Sequence, residues 1–208
     1  EGVTKGSKVA LLLMNCIDWL PIYFGILKTG SCVAPMNFRF SADEIKYCAE
    51  LSQADVLIFG PEFISRIDKI RETLGGIKEF IFVGNKKDCP NYAEFYENLI
   101  AEMPETNVRI NICEDDDAAI YFSSGTTGFP KAVLHTHKSL LASCYTENNN
   151  HHQTKDDVFL CIPPLYHTGA KMHWFGSLVS GGKAVLLRGT SPEIILDAVA
   201  KDHCTEDW

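Results

Sequence analysis

Short apolar runs alternate along the chain with longer segments in which apolar residues recur every three or four positions. The short runs have the length of β-strands, and several are apolar throughout, as strands covered on both faces must be. Strands are predicted at residues 8–14, 32–35, 55–59, 79–83, 118–122, 132–135, 158–162 and 183–187. Strands separated by helical segments are typical of an α/β fold, in which mostly parallel sheets are flanked by helices.

Periodicity and capping residues mark the helices between these strands. Residues 17–28 have helical spacing and stop before Gly30. Ser41 and Glu44 form a capping-box pattern ahead of a helix that ends near Leu51. Further helix starts are predicted near Pro61, near Asn91 and at Ser191 with Pro192, the last followed by a helix over 193–201.

One segment breaks the composition of the chain. Residues 148–157, Asn-Asn-Asn-His-His-Gln-Thr-Lys-Asp-Asp, contain no apolar residue, so we predict a loop there and a candidate joint between two subdomains. Residues 2–7 open directly onto a strand, and residues 203–208 stop where the next strand should begin. The fold therefore looks cut at both ends, and we expect an incomplete portion of a larger domain.

Composition narrows the classes of function. The 208 residues are 46% hydrophobic and 22% charged, which is the balance of an ordinary globular protein. The net charge is −8 and the basic residues are scattered, so no nucleic-acid partner is expected. The apolar runs are far shorter than the roughly 20 residues that span a bilayer, so no transmembrane segment is predicted. Eight cysteines without a C-x-x-C pair indicate reduced thiols and a cytoplasmic protein.

The residues with the clearest chemistry follow the strand predicted at 118–122. Residues 123–131 read Ser-Ser-Gly-Thr-Thr-Gly-Phe-Pro-Lys. Glycines let a backbone approach an anion closely, hydroxyls donate hydrogen bonds to it, and a lysine adds a compact positive charge. The order differs from the Walker A pattern, because the lysine follows a phenylalanine and a proline. We predict a phosphate-binding loop; the alternative is a flexible turn in a hairpin.

Residues 123–131 resemble the AMP-binding signature of the adenylate-forming superfamily, which includes acyl-CoA synthetases, peptide-synthetase adenylation domains and luciferases. Two other segments resemble motifs of this superfamily in the correct order, residues 27–37 (Leu-Lys-Thr-Gly-Ser-Cys-Val-Ala-Pro-Met-Asn) and residues 164–169 (Pro-Leu-Tyr-His-Thr-Gly). The resemblance is greatest to an acyl-CoA ligase. It implies that residues 1–208 are part of the large N-terminal AMP-binding domain of such an enzyme, with the C-terminal domain absent from them.

The resemblance also implies roles for single residues. Lys131 and His167 would be the catalytic residues, with His167 at the mouth of the acyl pocket. A hydroxyl of the loop would help to position Mg²⁺. The residues implied to hold the ATP phosphates are Ser123, Ser124, Gly125, Thr126, Thr127, Gly128 and Lys131. Ala132 departs from the family pattern, which has glycine there, so we expect an ordinary negative φ at this position.

Other polar clusters receive structural interpretations. His135 and His137 are predicted on one strand face, and His151 is followed by His152, but neither pair has further ligands at familiar spacing. We therefore assign no metal ligand in this chain. The acidic residues 114–117 are interpreted as a solvated loop ahead of a strand.

The implied reaction is ATP-dependent activation of a fatty or aryl acid to an acyl-adenylate, followed by thioester formation with coenzyme A. The family's magnesium-binding glutamate, ribose-binding aspartate, hinge and C-terminal lysine are not among these residues, so the 208-residue chain alone is expected to be inactive. A domain that loads a carrier protein and a module that only binds ATP stay open as alternatives. The specific acid is also open, as is the choice between a monomer and a homodimer.

Overall fold

A computed structural model describes residues 3–106, 108–123 and 128–207. These residues form two compact units. The first comprises Glu1–Leu13 and Leu20–Thr136, and the second comprises Met14–Trp19 and His137–Trp208. One boundary between the units falls between Thr136 and His137, so the segment 148–157 lies inside the second unit. The chain's place in a larger domain stays a prediction.

The first unit is built on a seven-stranded sheet. Its strands are β1 (Lys8–Leu12), β2 (Cys32–Pro35), β3 (Val56–Phe59), β4 (Glu79–Phe82), β5 (Glu94–Phe95), β6 (Asp117–Ser123) and β7 (Lys131–Thr136). They lie in the order β5-β4-β3-β1-β2-β6-β7. Every neighbouring pair is parallel except β6 and β7. The seven residues 124–130 cannot hold a crossover helix, so strands on either side of them must be antiparallel.

Four helices belong to this unit's part of the chain: α1 (Trp19–Lys28), α2 (Ala42–Leu51), α3 (Ile64–Ile70) and α4 (Tyr96–Ala101). Helix α2 has the predicted capping box, in which the Glu44 amide donates to Ser41 Oγ and the Ser41 amide donates to Glu44 Oε2. Short 3₁₀ turns cover Pro61–Phe63, Arg71–Thr73 and Lys86–Asp88. The helix predicted near Asn91 begins later, at Tyr96, after a two-residue strand that the pattern does not reveal.

The second unit has a three-stranded parallel sheet and three helices. Its elements are α5 (His137–His151), β8 (Val158–Cys161), α6 (Thr168–Ser180), β9 (Lys183–Leu186), α7 (Pro192–Asp202) and β10 (Glu206–Asp207). Ser191 caps α7 as predicted, because its side chain accepts a hydrogen bond from the Ile194 amide. In the ranges that the structure describes, no helix combines the length and apolar composition needed to cross a membrane.

The loop predicted at 148–157 is wrong in its first part, because α5 continues to His151. Three asparagines are poor helix formers, but the Asn148 side chain donates to the Gly176 carbonyl of α6 at 3.1 Å. A Cβ at Gly176 would overlap the Asn148 Oδ1 atom, so the glycine permits this close approach. The helix ends before His152, whose φ is 54°. The tertiary contact of Asn148 therefore accompanies a helix that continues through the asparagines, and the helix ends at a left-handed residue.

The eight cysteines are free thiols, and four of them are buried. Burial raises the pKa of Cys32, Cys48 and Cys161 to about 12. These thiols stay protonated at neutral pH and pack as small apolar side chains. The mostly parallel α/β fold predicted from the sequence is confirmed.

Candidate functional site

Ser123 and residues 128–131 of the predicted phosphate loop lie at the end of the β6–β7 hairpin. Ser123 is the last residue of β6 and Lys131 the first of β7, and the two are paired directly across the hairpin. Both are exposed. The hairpin therefore brings a hydroxyl and an ammonium group to the two sides of the loop entrance. Ser124, Gly125, Thr126 and Thr127 lie outside the described residues, so their predicted roles stay predictions.

The base of this hairpin is anchored by aromatic packing. The Phe122 ring lies 6.4 Å from the Phe40 ring in an edge-to-face arrangement. The Phe129 ring lies 4.8 Å from the Tyr47 ring of α2, and Pro130 is buried. Aromatic pairs of this kind hold backbone segments in place through large contact areas. The strands that enter and leave the loop are thus held in place, and the flanking residues Ser123, Gly128 and Lys131 are exposed.

Gly128 has the backbone conformation for which glycine is suited. Its φ is 97°, and no heavy atom of the described residues lies within 4 Å of the position that a Cβ would take. The glycine is required by the turn itself and not by crowding. Ala132 is absent from the residues with positive φ, so the ordinary negative φ predicted for it is confirmed.

Lys131 has no carboxylate within salt-bridge distance among the residues that the structure describes. Residues 123–131 themselves contain no aspartate or glutamate. An exposed ammonium group beside hydroxyls and a glycine turn is suited to attract a phosphate. Mg²⁺ takes oxygen ligands, and the exposed Ser123 hydroxyl is the described oxygen that suits it at this loop end.

His167 belongs to the second unit, where it caps helix α6. Its Nδ1 atom accepts a hydrogen bond from the Gly169 amide at 3.3 Å, and its own amide donates to the Pro164 carbonyl at 3.0 Å. The imidazole is exposed at the N-terminus of a 13-residue helix. Helix N-termini carry partial positive charge and favour anions. The side chain thus has a structural role that its sequence motif does not reveal.

The polar centre of α6 was missed by the sequence patterns. Lys171, one turn beyond His167, is only 3% exposed. Its ammonium group donates to Ser143 Oγ at 2.6 Å and contacts the Leu140 carbonyl at 3.4 Å, both on α5. Burial lowers the pKa of Lys171. Lys171 is four residues after His167, so a helix over 168–180 would place the two on the same face. The sequence does not indicate that Lys171 is buried.

Asn15 is a second residue that the sequence patterns did not single out. It is 8% exposed, and its Nδ2 donates to the Leu187 carbonyl at 2.9 Å and to the Pro163 carbonyl at 3.4 Å. Its Oδ1 accepts from the Leu165 amide at 2.9 Å. One side chain therefore joins two distant backbone segments of the second unit. A polar residue after the apolar run of β1 was the only signal for it.

The remaining clusters are placed as follows. His135 is on β7 and packs edge-to-face on Tyr121, whereas His137 begins α5. The prediction that His135 and His137 share a strand face is therefore wrong, because the strand ends at Thr136. In the acidic segment, Asp116 pairs with Lys5 at 2.6 Å and accepts from the Cys113 amide at 2.7 Å. These contacts indicate a structural role.

A surface pocket of about 390 Å³ lies elsewhere in the first unit. It is lined by residues that precede β3 and β4, including Asp55 and Gly76. Ligands of open α/β sheets bind at the carboxyl ends of strands, and this pocket is at the opposite ends. The Asp55 carboxylate is already bonded to Lys78 and to the Lys8 amide. The pocket therefore lies away from the strand ends where ligands of such sheets bind, and its Asp55 carboxylate has a structural role.

Comparison with known proteins shows which family the chain is similar to. The family model described as AMP-binding enzyme matches residues 1–206. 4-Coumarate–CoA ligase 3 of Oryza sativa subsp. japonica is 32% identical, over 98% of this chain and 37% of that protein. Crotonobetaine/carnitine–CoA ligase of Salmonella heidelberg (strain SL476) is 28% identical, over 98% of this chain and 40% of that protein.

The fold is also similar to solved structures. The anthranilate CoA ligase AuaEII in complex with anthranoyl-AMP matches 99% of this chain with a TM-score of 0.93 and 25% identity. The match covers 40% of that chain. The protein described here thus spans about two fifths of the length of these relatives.

Proposed function

Because the chain belongs to the family of AMP-binding enzymes, we propose that the whole protein activates a carboxylic acid with ATP and transfers the acyl group to coenzyme A. The matched relatives named as CoA ligases support thioester formation as the second step. The activity is proposed for the whole protein, because the chain spans 37% to 40% of these relatives.

The observation that carries the proposal is the hairpin end. Ser123 and Lys131 are paired across the entrance of the loop, and the exposed Gly128 has a φ of 97°. We propose that the residues from Ser123 to Gly128 and Lys131 hold the β- and γ-phosphates of ATP. An ammonium group with no described carboxylate partner is available for this contact.

The proposed reaction requires that negative charge on the phosphates be stabilised at this loop. A carboxylate oxygen attacks the α-phosphorus, the bond from that phosphorus to the bridging oxygen breaks, and pyrophosphate leaves with the electron pair. Both reactants are anions, and negative charge grows on the leaving group. Oriented amides, hydroxyls and the Lys131 ammonium group would stabilise that charge in the transition state more than in the ground state.

Magnesium would add positive charge at the same phosphates. Within residues 123–131 the available ligands are hydroxyl and carbonyl oxygens, because this segment has no carboxylate. Ser123 would contribute one oxygen at most, and the remaining ligands would come from ATP, water and groups beyond this loop. The residues present therefore fit a supporting role in holding the ion.

For the second substrate, we propose that His167 contacts the acyl substrate. Its position at the positive end of α6 favours a nearby anion such as a carboxylate. We propose a fatty or aryl acid, and the relatives named for 4-coumarate and anthranilate support the aryl class. We also propose a cytoplasmic location, which cell fractionation would test.

The decisive experiment is an ATP–pyrophosphate exchange assay on the full-length protein with a panel of aryl, fatty and short-chain acids. Exchange that depends on one class of acid is expected, followed by acyl-CoA formation when coenzyme A is added. Absence of exchange with every acid would contradict the proposed activity and favour the alternative that the protein only binds ATP. Exchange without acyl-CoA formation, together with acylation of a carrier protein, would favour the carrier-loading alternative.

A further inference from the structure

A group of three side chains that could ligate a metal lies in the second unit, outside the three segments that resemble family motifs. Glu147 and His151 are one turn apart on α5, and His173 projects from α6. One ligand atom from each residue lies within 4.8 Å of the other two. The Glu147 Oε2 and His151 Nε2 atoms are 3.4 Å apart, and the two imidazole rings are 5.2 Å apart.

These separations suit a small divalent ion. Nitrogen and oxygen ligands lie about 2.0–2.2 Å from zinc, which places neighbouring ligand atoms of a tetrahedral site about 3.3 Å apart. The Glu147–His151 pair already has this spacing. The other ligand atoms lie within 4.8 Å of one another and must move closer to bind one ion. Rotation of side chains can bring them closer, because the His151 side chain is 53% exposed and has room to rotate.

The third ligand is held firmly. His173 is 8% exposed, and its ring stacks on Phe159 with a centroid distance of 5.0 Å and an angle of 16° between the planes. Burial lowers the pKa of His173, which favours the neutral imidazole, the form that ligates metals. One ordered ligand and two that approach from solvent give a metal ion both a fixed point and a route of entry.

The electrostatic setting also favours a cation. Glu147 and His151 lie in the last turn of α5, where the helix presents partial negative charge. The Glu147 carboxylate adds a full negative charge and is 25% exposed. The simpler interpretation is an i,i+4 ion pair, which stabilises a helix by only about 0.3–0.5 kcal/mol. An ion pair between Glu147 and His151 does not explain why the buried His173 lies beside both residues.

We propose that Glu147, His151 and His173 bind one divalent transition-metal ion, with zinc as the preferred ion. Imidazole is a borderline ligand, so a set of two imidazoles and one carboxylate suits zinc, cobalt or nickel better than magnesium or calcium. Three protein ligands leave a coordination position for water. The ion would link the last turn of α5 to the middle of α6, and the site is independent of the proposed adenylation activity.

The test uses the full-length protein with its purification tag removed and its metals stripped by a chelator. Zinc is titrated by calorimetry, and cobalt by the visible absorption of a four-coordinate ion. We expect one site per chain that millimolar Mg²⁺ does not compete for, and a melting temperature that rises with zinc concentration. His151→Asn and Glu147→Gln should weaken zinc binding by more than about 100-fold, since each removes a ligand.

The matched control is His152→Asn, the same change one residue along. His152 is exposed, is not in the group, and has a φ of 54° that asparagine tolerates. This variant should bind zinc as the parent protein does. Equal zinc affinity in His151→Asn and His152→Asn would overturn the proposal, as would the absence of a one-to-one site in the parent. Both variants should keep their ATP–pyrophosphate exchange, so a failure of the zinc site is distinguishable from a failure of the proposed function.

Discussion

The loop end between β6 and β7 and the group formed by Glu147, His151 and His173 are both collections of polar side chains suited to an ion, but they are assembled differently. The loop lies within nine consecutive residues, 123–131, and the strands on either side of it form a hairpin. The metal-ligating group joins two helices separated by the strand β8. A contiguous site depends on local backbone conformation, whereas an assembled one depends on the packing of its whole unit.

The largest effect should come from the contiguous site. Lys131→Ala in the full-length protein should lower ATP–pyrophosphate exchange by about 10²–10³-fold, the usual loss when one group that stabilises transition-state charge is removed. Its melting temperature should hardly change, because the side chain is exposed and has no described carboxylate partner. Lys87→Ala, at an exposed lysine of the same unit, is the matched control and should keep full exchange. Equal exchange in both variants would remove Lys131 from the mechanism.

A substitution at Asn15 tests how far the second unit depends on contacts between distant segments of the chain. Asn15→Ala should lower the free energy of unfolding by about 2 kcal/mol, since it leaves the buried Leu165 amide and Leu187 carbonyl without this partner. Urea unfolding measures the change. Asn150→Ala, at an exposed position of α5, is the control and should differ from the parent by less than about 0.5 kcal/mol. A neutral Asn15→Ala would mean that the distant segments are held together without this side chain.

Substitutions at His167 can distinguish its proposed contact with the substrate from its structural role as the N-cap of α6. His167→Ala removes both the N-cap and the imidazole, whereas His167→Asn keeps a side chain that caps helices well. If the imidazole contacts the acyl substrate, both variants should raise the KM for the acid by about tenfold, or about 1.4 kcal/mol. Thermal unfolding should show a loss of about 1 kcal/mol in the alanine variant alone. Full kinetic rescue by asparagine would reduce His167 to a helix cap.

The smallest effect is expected at a charge pair of the first unit that has only a structural role. Hydrogen bonds from Lys78 and from the Lys8 amide hold the pKa of Asp55 below its ordinary value. A lowered folded-state pKa contributes stability above the unfolded pKa of about 3.9 and loses it as the pH falls through the folded pKa. Asp55→Asn should therefore reduce stability at pH 7 by about 0.2–1 kcal/mol and flatten its fall below about pH 4.

Acid unfolding of the parent and of Asp55→Asn, followed by circular dichroism, measures this difference. Exchange activity at neutral pH should be unchanged, in contrast to Lys131→Ala. An Asp55→Asn variant whose stability falls as steeply with acid as the parent's would exclude Asp55 as a contributor.

Sequence patterns predicted the strands well because local apolar runs are sufficient to identify buried strands. The run at 32–35 coincides with β2, and the capping pattern at Ser41 and Glu44 is present in the structure. Helices α5 and α6 were harder to predict. The buried stripe of α5 consists of Leu140 and Cys144, and the helix is otherwise polar, so it has little amphipathic signal. Its last turn depends on the contact of Asn148 with Gly176, which no local pattern contains.

The order of residues alone determined the fold class and the family resemblance. It also predicts the phosphate loop, because glycines, hydroxyls and a lysine act there through the backbone that directly joins them. Only the tertiary structure decided that Lys171 is buried, that Asn15 joins two distant segments, and that His173 lies beside Glu147 and His151. The physical reason is that helix and strand patterns specify which face is covered. The partner that covers it is chosen by packing over the whole unit.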